Sequence, residues 1–223
     1  MFLGANVDRW LWWDWIDRNT DLISSSLREH VILTMSAIGF GLLIAMPLGV
    51  AAARWRWLYP PSLVITGILY TIPSLAAFAL LIPVTGLTRT TALIPLTSYT
   101  LLILVRNVVE GLDGVPSEIK DAADGMGYSR FRRLVRIELP LALPTIMAGI
   151  RIATVTVIGL AAVAGLLAIP SLGNLIYIGQ NRPIRTAITV GIALSVALAV
   201  VADLLLATVQ RLLSPWARVR DSR

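Results

Sequence analysis

Five apolar stretches, each long enough to cross a bilayer, constrain this chain of 223 residues more than any other feature. They run over about residues 31–53, 62–84, 92–109, 141–168 and 186–209. A helix needs about 20 apolar residues to span a hydrocarbon core of ~30 Å. Hydrophobic residues make up 57% of the chain, and the mean hydropathy of +0.78 is far above that of a soluble domain. The sequence therefore predicts an all-α membrane protein with five spans.

The second and third spans contain residues that a lipid-facing helix does not need. Pro73 and Pro83 interrupt the second span, and hydroxyl side chains flank Pro73 near mid-membrane. Irregular backbone at that depth is tolerated only where it is buried in protein or lines a water-filled cavity. We therefore predict part of a transport path here. The candidate path residues are Thr71, Pro73, Ser74, Thr97, Tyr99 and Asn107.

A repeat of small residues predicts how the first span packs. Gly41, Ala45 and Gly49 recur at four-residue spacing. Such spacing is typical of a helix face that packs closely on another helix.

Three charged residues lie inside the later spans, where ionisable groups are functional by default. We predict that Asp203 pairs with Arg151 or with Arg106, and that the pair has a structural role. The alternative is that the arginines extend to the interface while Asp203 faces a polar crevice.

The polar stretch from about residue 113 to 140 separates the third and fourth spans. Its pattern predicts two short helices around Gly127, with Ser117 capping the first. Small side chains at Ala122, Ala123 and Gly127 would let another protein approach the backbone closely. The arginines that follow offer charge-assisted contacts to an acidic partner or to lipid phosphates: Arg130, Arg132, Arg133 and Arg136. The alternative is a pair of interfacial helices that merely joins two spans.

The order of residues in this stretch resembles the EAA loop of permease subunits of ABC importers. That pattern is Glu-Ala-Ala, three residues, Gly, nine residues, Ile, one residue and Leu-Pro. The corresponding positions are Asp121, Ala122, Ala123, Gly127, Ile137, Leu139 and Pro140. Asp121 stands where the family has Glu, which keeps the charge and shortens the side chain by one methylene.

Further segments resemble the osmoprotectant branch of this family, whose members carry glycine betaine, carnitine, choline and proline betaine. The likeness covers about residues 31–210 and is carried by residues 71–76, 91–96, 106–107 and 138–151. It departs after the fourth span, where relatives have Ala-Gly-Gly-Leu-Gly and residues 169–173 read Ile-Pro-Ser-Leu-Gly. Methionine-type permeases share the five-span plan and are the nearest alternative.

The resemblance implies a five-span type I ABC importer permease bundle that alternates between inward-open and outward-open states. Two ATPase subunits would bind MgATP and hold the EAA loops, so this chain would carry no cofactor or metal and would not be an enzyme. A second permease subunit, the same chain or a related one, would complete the pore, and an external binding protein would deliver substrate. The resemblance assigns ATPase coupling to Glu118, Asp121, Ala122, Ala123, Gly127, Arg130, Arg133, Ile137, Leu139 and Pro140.

If the substrate is a quaternary amine, aromatic side chains in the spans are the groups that would cage it. The candidates are Phe40, Tyr70, Phe78 and Tyr99. We favour core packing or lipid contact for all four, and expect no more than a weak substrate site in the bundle.

The distribution of positive charge predicts orientation, because loops rich in Lys and Arg stay in the cytoplasm. Leaving Arg151 aside, twelve basic residues fall on the side of the EAA loop: Arg54, Arg56, Arg106, Lys120, Arg130, Arg132, Arg133, Arg136, Arg211, Arg218, Arg220 and Arg223. Six fall on the other side: Arg9, Arg18, Arg28, Arg89, Arg182 and Arg185. We expect a multi-pass protein of the bacterial inner membrane, with the N-terminus outside and the C-terminus in the cytoplasm.

The two ends of the chain carry separate predictions. Residues 1–29 are rich in tryptophan and acidic residues, which predicts an amphipathic helix in the membrane interface. We favour an anchor packed on the bundle over a docking surface for an external partner. The transmembrane domain covers residues 30–211, and residues 212–223 form a cytoplasmic tail.

Composition excludes several other functions. The chain has no cysteine and a single histidine, His30, which rules out thiolate or multi-histidine metal sites and disfavours a Ser–His protease. It has no GxxxxGK[ST] motif to cradle nucleotide phosphates. The net charge of +6 does not indicate nucleic acid as a partner, because the basic residues are scattered between apolar spans. A passive channel leaves the loop unexplained, and a membrane anchor for a cytoplasmic protein leaves the proline-broken spans unexplained.

Overall fold

The computed structural model describes residues 10–216, and this part of the chain is helical throughout, with short connections and no β-strand. Its helices are α1 Trp13–Arg18, α2 Thr20–Arg54, α3 Tyr59–Thr71, α4 Ser74–Thr85, α5 Arg89–Asp113, α6 Ser117–Gly125, α7 Arg130–Arg133, α8 Leu139–Ala164, α9 Leu172–Asn181 and α10 Arg185–Leu213. The prediction of an all-α protein is confirmed. Four of the predicted basic residues lie outside the described range: Arg9, Arg218, Arg220 and Arg223.

Within the described range, four helical units are long and apolar enough to cross a membrane: α2, α5, Arg130–Leu167 and α10. The predicted second span corresponds to α3 and α4, which are bent by 87° at their junction. Pro73 has no N–H to continue α3, and Ile72 before it is extended, with φ −63° and ψ 125°. Pro83, by contrast, lies inside α4. Counting the bent pair as one span gives five.

The first long helix begins at Thr20, about ten residues before the predicted span. The polar residues there do not end the helix, because the Ser24 and Ser25 hydroxyls donate to carbonyls of the preceding turn at 3.1 and 3.0 Å. The predicted N-terminal helix is therefore the short α1 followed directly by α2. Trp15 of α1 is buried and packs with Leu172 and Ala187 of the last two helices.

The centre of the bundle is α5, which packs against both α2 and α8. A Cβ at Gly49 would lie 2.6 Å from Cγ1 of Val108, and one at Gly41 would collide with the Thr100 side chain. Ala45 between these glycines is fully buried. The predicted close-packing face of the first span is confirmed, and its partner is α5.

Polar contacts identify which helix ends lie together. At one end Arg56 donates to Asp113 at 2.7 Å, joining the segment after α2 to the end of α5. At the other end the backbone N–H of Trp12 donates to the Thr186 hydroxyl at 3.0 Å, and Arg89 pairs with Glu29. The two predicted groups of basic residues, as far as they are described, therefore lie at opposite ends of the bundle.

Candidate functional site

The first half of the EAA loop is α6, which ends in a Schellman motif. The Tyr128 N–H donates to the Ala123 carbonyl at 3.1 Å, and the Gly127 N–H donates to the Asp124 carbonyl at 3.0 Å. Gly127 has a φ of +78°, a left-handed conformation that favours glycine. A Cβ at Gly127 would have no atom within 4 Å. The chain therefore needs glycine here for its backbone conformation, whereas the sequence indicated room for a partner.

The predicted cap of α6 is wrong, and the cap in this loop belongs to the second helix. Ser117 is the first helical residue of α6, preceded by Pro116, and caps nothing. Ser129 is the N-cap residue directly before α7, and its Oγ accepts the Arg132 N–H at 3.4 Å. Serine favours this position because its hydroxyl satisfies an N–H that the first helical turn leaves free.

The second half of the EAA loop is continuous with the fourth span. α7 runs through one π-helical turn, Leu134–Glu138, into α8, and Arg130–Leu167 form a single unit of 38 residues. Leu139 and Pro140 of the family pattern are the first residues of α8, directly after the π turn, where Pro140 contributes no N–H to the helix. Ile137 is half-buried in the π turn. A displacement of the loop is therefore passed directly to a membrane helix.

Arg133 holds this junction together from inside. Its side chain is 11% exposed, and its Nε donates to Oε1 of Glu138 at 2.7 Å. A second ion pair joins it to Asp124 of α6. Hydrogen bonding to Glu138 first, and to Asp124 as well, raises the pKa of the guanidinium, which stays charged. The sequence indicated that Arg133 contacts an external partner, but the structure places it in an internal strut between α6 and the π turn that leads into α8.

The exposed side of the loop is what a partner would meet. Asp121 and Ala122 are exposed, and Glu118 lies on the same helix. Ala123 is fully buried, so this member of the family pattern serves packing within the chain. Four large apolar side chains are exposed in this polar loop: Ile119, Met126, Phe131 and Val135, at 39%, 68%, 75% and 45%. An exposed apolar patch surrounded by charged groups is typical of an interaction surface. The exposed arginines of this loop are Arg130, Arg132 and Arg136.

A cleft of about 620 Å³ lies between this loop and the end of α2. Pro47, Ala51 and Trp55 line it on the side of the first span. Phe131 and Leu134 line it on the side of the loop. The loop is thus continuous with α8, whereas the cleft separates it from this part of α2. That space would allow the loop to move or to bind a partner.

The break between α3 and α4 brings four of the predicted path residues together. Thr71, Pro73, Ser74 and Tyr99 line one cavity of about 250 Å³. The Tyr99 hydroxyl donates to the Ile72 carbonyl at 2.9 Å, which fixes the broken backbone to α5. The other lining residues are Tyr70, Ile72, Thr156 and Leu160.

The remaining path candidates and aromatic candidates lie elsewhere. Asn107 donates to the Ile103 carbonyl of its own helix at 2.8 Å, and it packs where α5 crosses α8 at Gly149. Thr97 is half-buried on α5 and does not line the cavity. Phe78 is fully buried in the core and Phe40 is half-exposed, so only the two tyrosines share the cavity.

Of the two partners predicted for Asp203, the structure has Arg151. Their side chains meet in a fork, with Nε–Oδ1 at 2.8 Å and Nη2–Oδ2 at 2.9 Å. Arg106 instead pairs with Glu110 of its own helix at 3.4 Å, and its side chain is mostly exposed.

His30 is a structural residue that the sequence did not reveal. It is fully buried, its Nδ1 accepts the Leu172 N–H at 3.2 Å, and its Nε2 lies 3.1 Å from the Ile158 carbonyl. Because Nδ1 accepts a hydrogen bond, it carries no proton. The ring proton is therefore on Nε2, which donates to the Ile158 carbonyl. His30 thereby joins α2 to α8 and caps the start of α9. Its partners are 128 and 142 residues away in the chain, which no local pattern reveals.

The chain matches one known protein family and is similar in sequence to several transport permeases. The family described as binding-protein-dependent transport system inner membrane component matches residues 45–219. The glycine betaine/carnitine/choline transport system permease protein OpuCD of Bacillus subtilis is 34% identical over 199 residues, 89% of this chain and 87% of the relative. The osmoprotectant import permease protein OsmW of Salmonella typhimurium is 35% identical over 202 residues, 88% of this chain and 94% of the relative.

A solved structure has the same fold. It is the MetNI methionine ABC transporter in inward-facing conformations, with a TM-score of 0.78. The match covers 88% of this chain and 98% of that chain, at 22% identity. At that identity the likeness concerns the fold alone.

Proposed function

The chain belongs to the family of binding-protein-dependent transport system inner membrane components, and from this membership we propose that it is the permease subunit of an ATP-driven importer for osmoprotectants. The substrates we assign are quaternary amines such as glycine betaine, carnitine and choline. These compounds are named for the OpuCD relative, and osmoprotectant import is named for OsmW. As a family member the chain is a multi-pass, non-catalytic membrane subunit that works with a binding protein and a separate ATPase.

The observation that carries the coupling step is the continuous helix Arg130–Leu167. An ATPase that holds the exposed side of α7 would move α8 with it, because the two belong to one continuous helical unit. The ion pair of Asp124 with Arg133 ties α6 to that unit. Nucleotide binds the two states of the transporter with different affinity, and that difference drives the change between inward-open and outward-open bundles. MgATP is held by the partner ATPase in this proposal.

The assembly we propose contains two ATPase subunits and a second permease subunit, either the same chain or a related one. The end that carries the EAA loop faces the cytoplasm, and the N-terminus faces outside. Two features support this orientation: the excess of basic residues at the loop end and the need for the loop to reach a cytoplasmic ATPase.

The test is transport by the whole assembly in proteoliposomes. The chain is reconstituted with its ATPase and loaded binding protein, and uptake of radiolabelled choline, glycine betaine, carnitine and methionine is compared. We expect ATP-dependent uptake of at least one quaternary amine and stimulation of ATP hydrolysis by its loaded binding protein. A hydrolysis-deficient ATPase is the control and should abolish both. Uptake of methionine alone, or flux that does not need ATP, would overturn the proposal.

A further inference from the structure

The cavity at the break between α3 and α4 is lined by aromatic, hydroxyl and aliphatic groups. Its walls combine two tyrosine rings, hydroxyl groups and the irregular backbone around Pro73. Within the described part of the chain, no charged side chain lines it. Its volume of about 250 Å³ lies just below the range of roughly 300–1,000 Å³ for sites of drug-sized ligands, so it suits a ligand of a few heavy atoms.

The two rings offer negative potential to the cavity. Tyr70 and Tyr99 pack edge to face, with centroids 6.0 Å apart and planes at 86°. In this arrangement the edge of one ring contacts one face of the other ring, and this contact leaves the remaining ring faces uncovered. The face of an aromatic ring carries the negative part of its quadrupole and attracts cations within about 6 Å.

Two helix ends of opposite polarity meet at the break. α3 ends at Thr71, and the last carbonyls of a helix carry a partial negative charge that favours cations. Pro73 has no N–H to donate, but the N–H groups of the first turn of α4, which begins at Ser74, carry the opposite partial charge. The two tyrosine rings are therefore the groups that favour a cation here. The Ile72 carbonyl accepts from the Tyr99 hydroxyl, which holds that ring at the helix end.

These groups favour a methylated cation over a primary ammonium. A primary ammonium brings three N–H donors that must find acceptors when they leave water. A quaternary ammonium has no N–H, and ring faces stabilise it without a carboxylate. The absence of a lining carboxylate is thus a disadvantage for a primary amine and none for a quaternary one.

We infer that this cavity is a transit site that holds the quaternary ammonium group of the substrate against the faces of Tyr70 and Tyr99. The inference rests on the proposed function, because it concerns the same substrates. The site is weak, since two rings without a carboxylate give a partial cage, and a weak site lets the substrate leave again.

The first test measures binding of tritiated choline to the purified permease–ATPase complex without binding protein. Tyr70 is 40% exposed, so Tyr70→Leu removes the ring without disturbing the core. We expect a roughly 5- to 30-fold loss of affinity, from a cation–π contribution of about 1–2 kcal/mol. Tyr70→Phe keeps the ring and should bind as the wild type does. Tyr177→Leu, at a tyrosine of similar exposure outside the cavity, is the matched control and should also bind normally.

A second probe separates charge from shape. The uncharged isostere 3,3-dimethylbutanol has the size of choline and lacks its positive charge. We expect it to compete with choline at least tenfold more weakly than unlabelled choline does. Equal competition would overturn recognition of the cation.

Uptake by the complete transporter distinguishes the two proposals. If wild type takes up choline, glycine betaine or carnitine but the complex without binding protein binds none of them, the transit site is refuted and the proposed function stands. Equal binding by Tyr70→Leu and wild type refutes the site in the same way. If wild type with its binding protein takes up no quaternary amine, the proposed function itself fails.

Discussion

Arg151 and Asp203 join α8 to α10 through two parallel hydrogen bonds, and Gln210 extends the contact. Gln210 accepts from Arg151 at 3.4 Å and donates to the Pro144 carbonyl at 3.1 Å. The fork geometry suits an arginine and a carboxylate better than any lysine pair. These residues fix the last helix to the span that carries the EAA loop.

We predict that Asp203→Asn lowers the melting temperature of the purified permease, because Arg151 keeps its charge and loses its partner. Arg151→Gln should act in the same direction. The double variant removes both charges, so it should melt above at least one single variant. Thermal unfolding in detergent measures all three. Wild-type melting of both single variants, or losses in the double variant that simply add, would contradict a coupled pair.

A second prediction contrasts two arginines of the EAA loop. Arg133→Ala should reduce ATP-driven uptake about tenfold or more, since leaving the buried Glu138 unpaired costs at least about 1–3 kcal/mol and loosens the joint to α8. Arg130→Ala is the exposed comparison and should weaken ATPase attachment without changing the melting temperature. Measurements of ATP-driven uptake and of thermal unfolding for both variants test this prediction. Equal melting temperatures for the two would show that Arg133 is not an internal strut.

The end of α6 gives a third prediction, with a control two residues away. Gly127→Ala forces an L side chain into a left-handed conformation at a cost of about 1–2 kcal/mol. Amide hydrogen exchange in residues 117–128 should accelerate roughly 5- to 30-fold. Gly125 lies in the last turn of α6 with φ outside that region and free space around it. Gly125→Ala should therefore exchange no faster than wild type. Similar exchange in both variants would argue against the Schellman motif.

The α2–α5 contact gives a fourth prediction. Gly49→Ala places a methyl group against Val108 and should destabilise the bundle by about 1–3 kcal/mol, the usual cost of overpacking. Gly39 on the same helix has no atom within 4 Å of an added Cβ, so Gly39→Ala should leave the melting temperature unchanged or raise it. A loss of stability in Gly39→Ala as large as that in Gly49→Ala would contradict this packing.

Apolar run length and residue spacing were sufficient for much of this architecture. The helical spans, the break at Pro73 and the close-packing face with Gly49 follow from local rules about length, proline and small residues. A Schellman motif at Gly127 could also be predicted from the sequence, since glycine after a helical pattern commonly marks the C-terminus of a helix. Interpreting that glycine as space for a partner overlooked the local requirement.

Other features depend on a local change of helix type or on contacts between distant segments, which the spacing of residues in the sequence does not show. Arg133 and Glu138 are five residues apart, which on an α-helix of about 100° per residue places them on different faces. The π turn between them brings both to the same side. The partners of His30 and the contact of Tyr99 with Ile72 join distant segments, so they exist only once the bundle has formed.

Coupling of this chain to ATP hydrolysis requires that the exposed side of α6 contact an ATPase. Because the chain has no cysteine, Ala122→Cys introduces a single thiol at an exposed position of that helix. The direct measurement is cross-linking of this thiol to single-cysteine variants of the ATPase in inverted membrane vesicles, with and without ATP. We predict a specific cross-link whose yield changes with ATP, and none from Tyr177→Cys at the other end of the bundle. Failure of position 122 to cross-link in an assembled, ATP-hydrolysing complex would contradict the account, as would labelling of that thiol in intact cells by a reagent that does not cross the membrane.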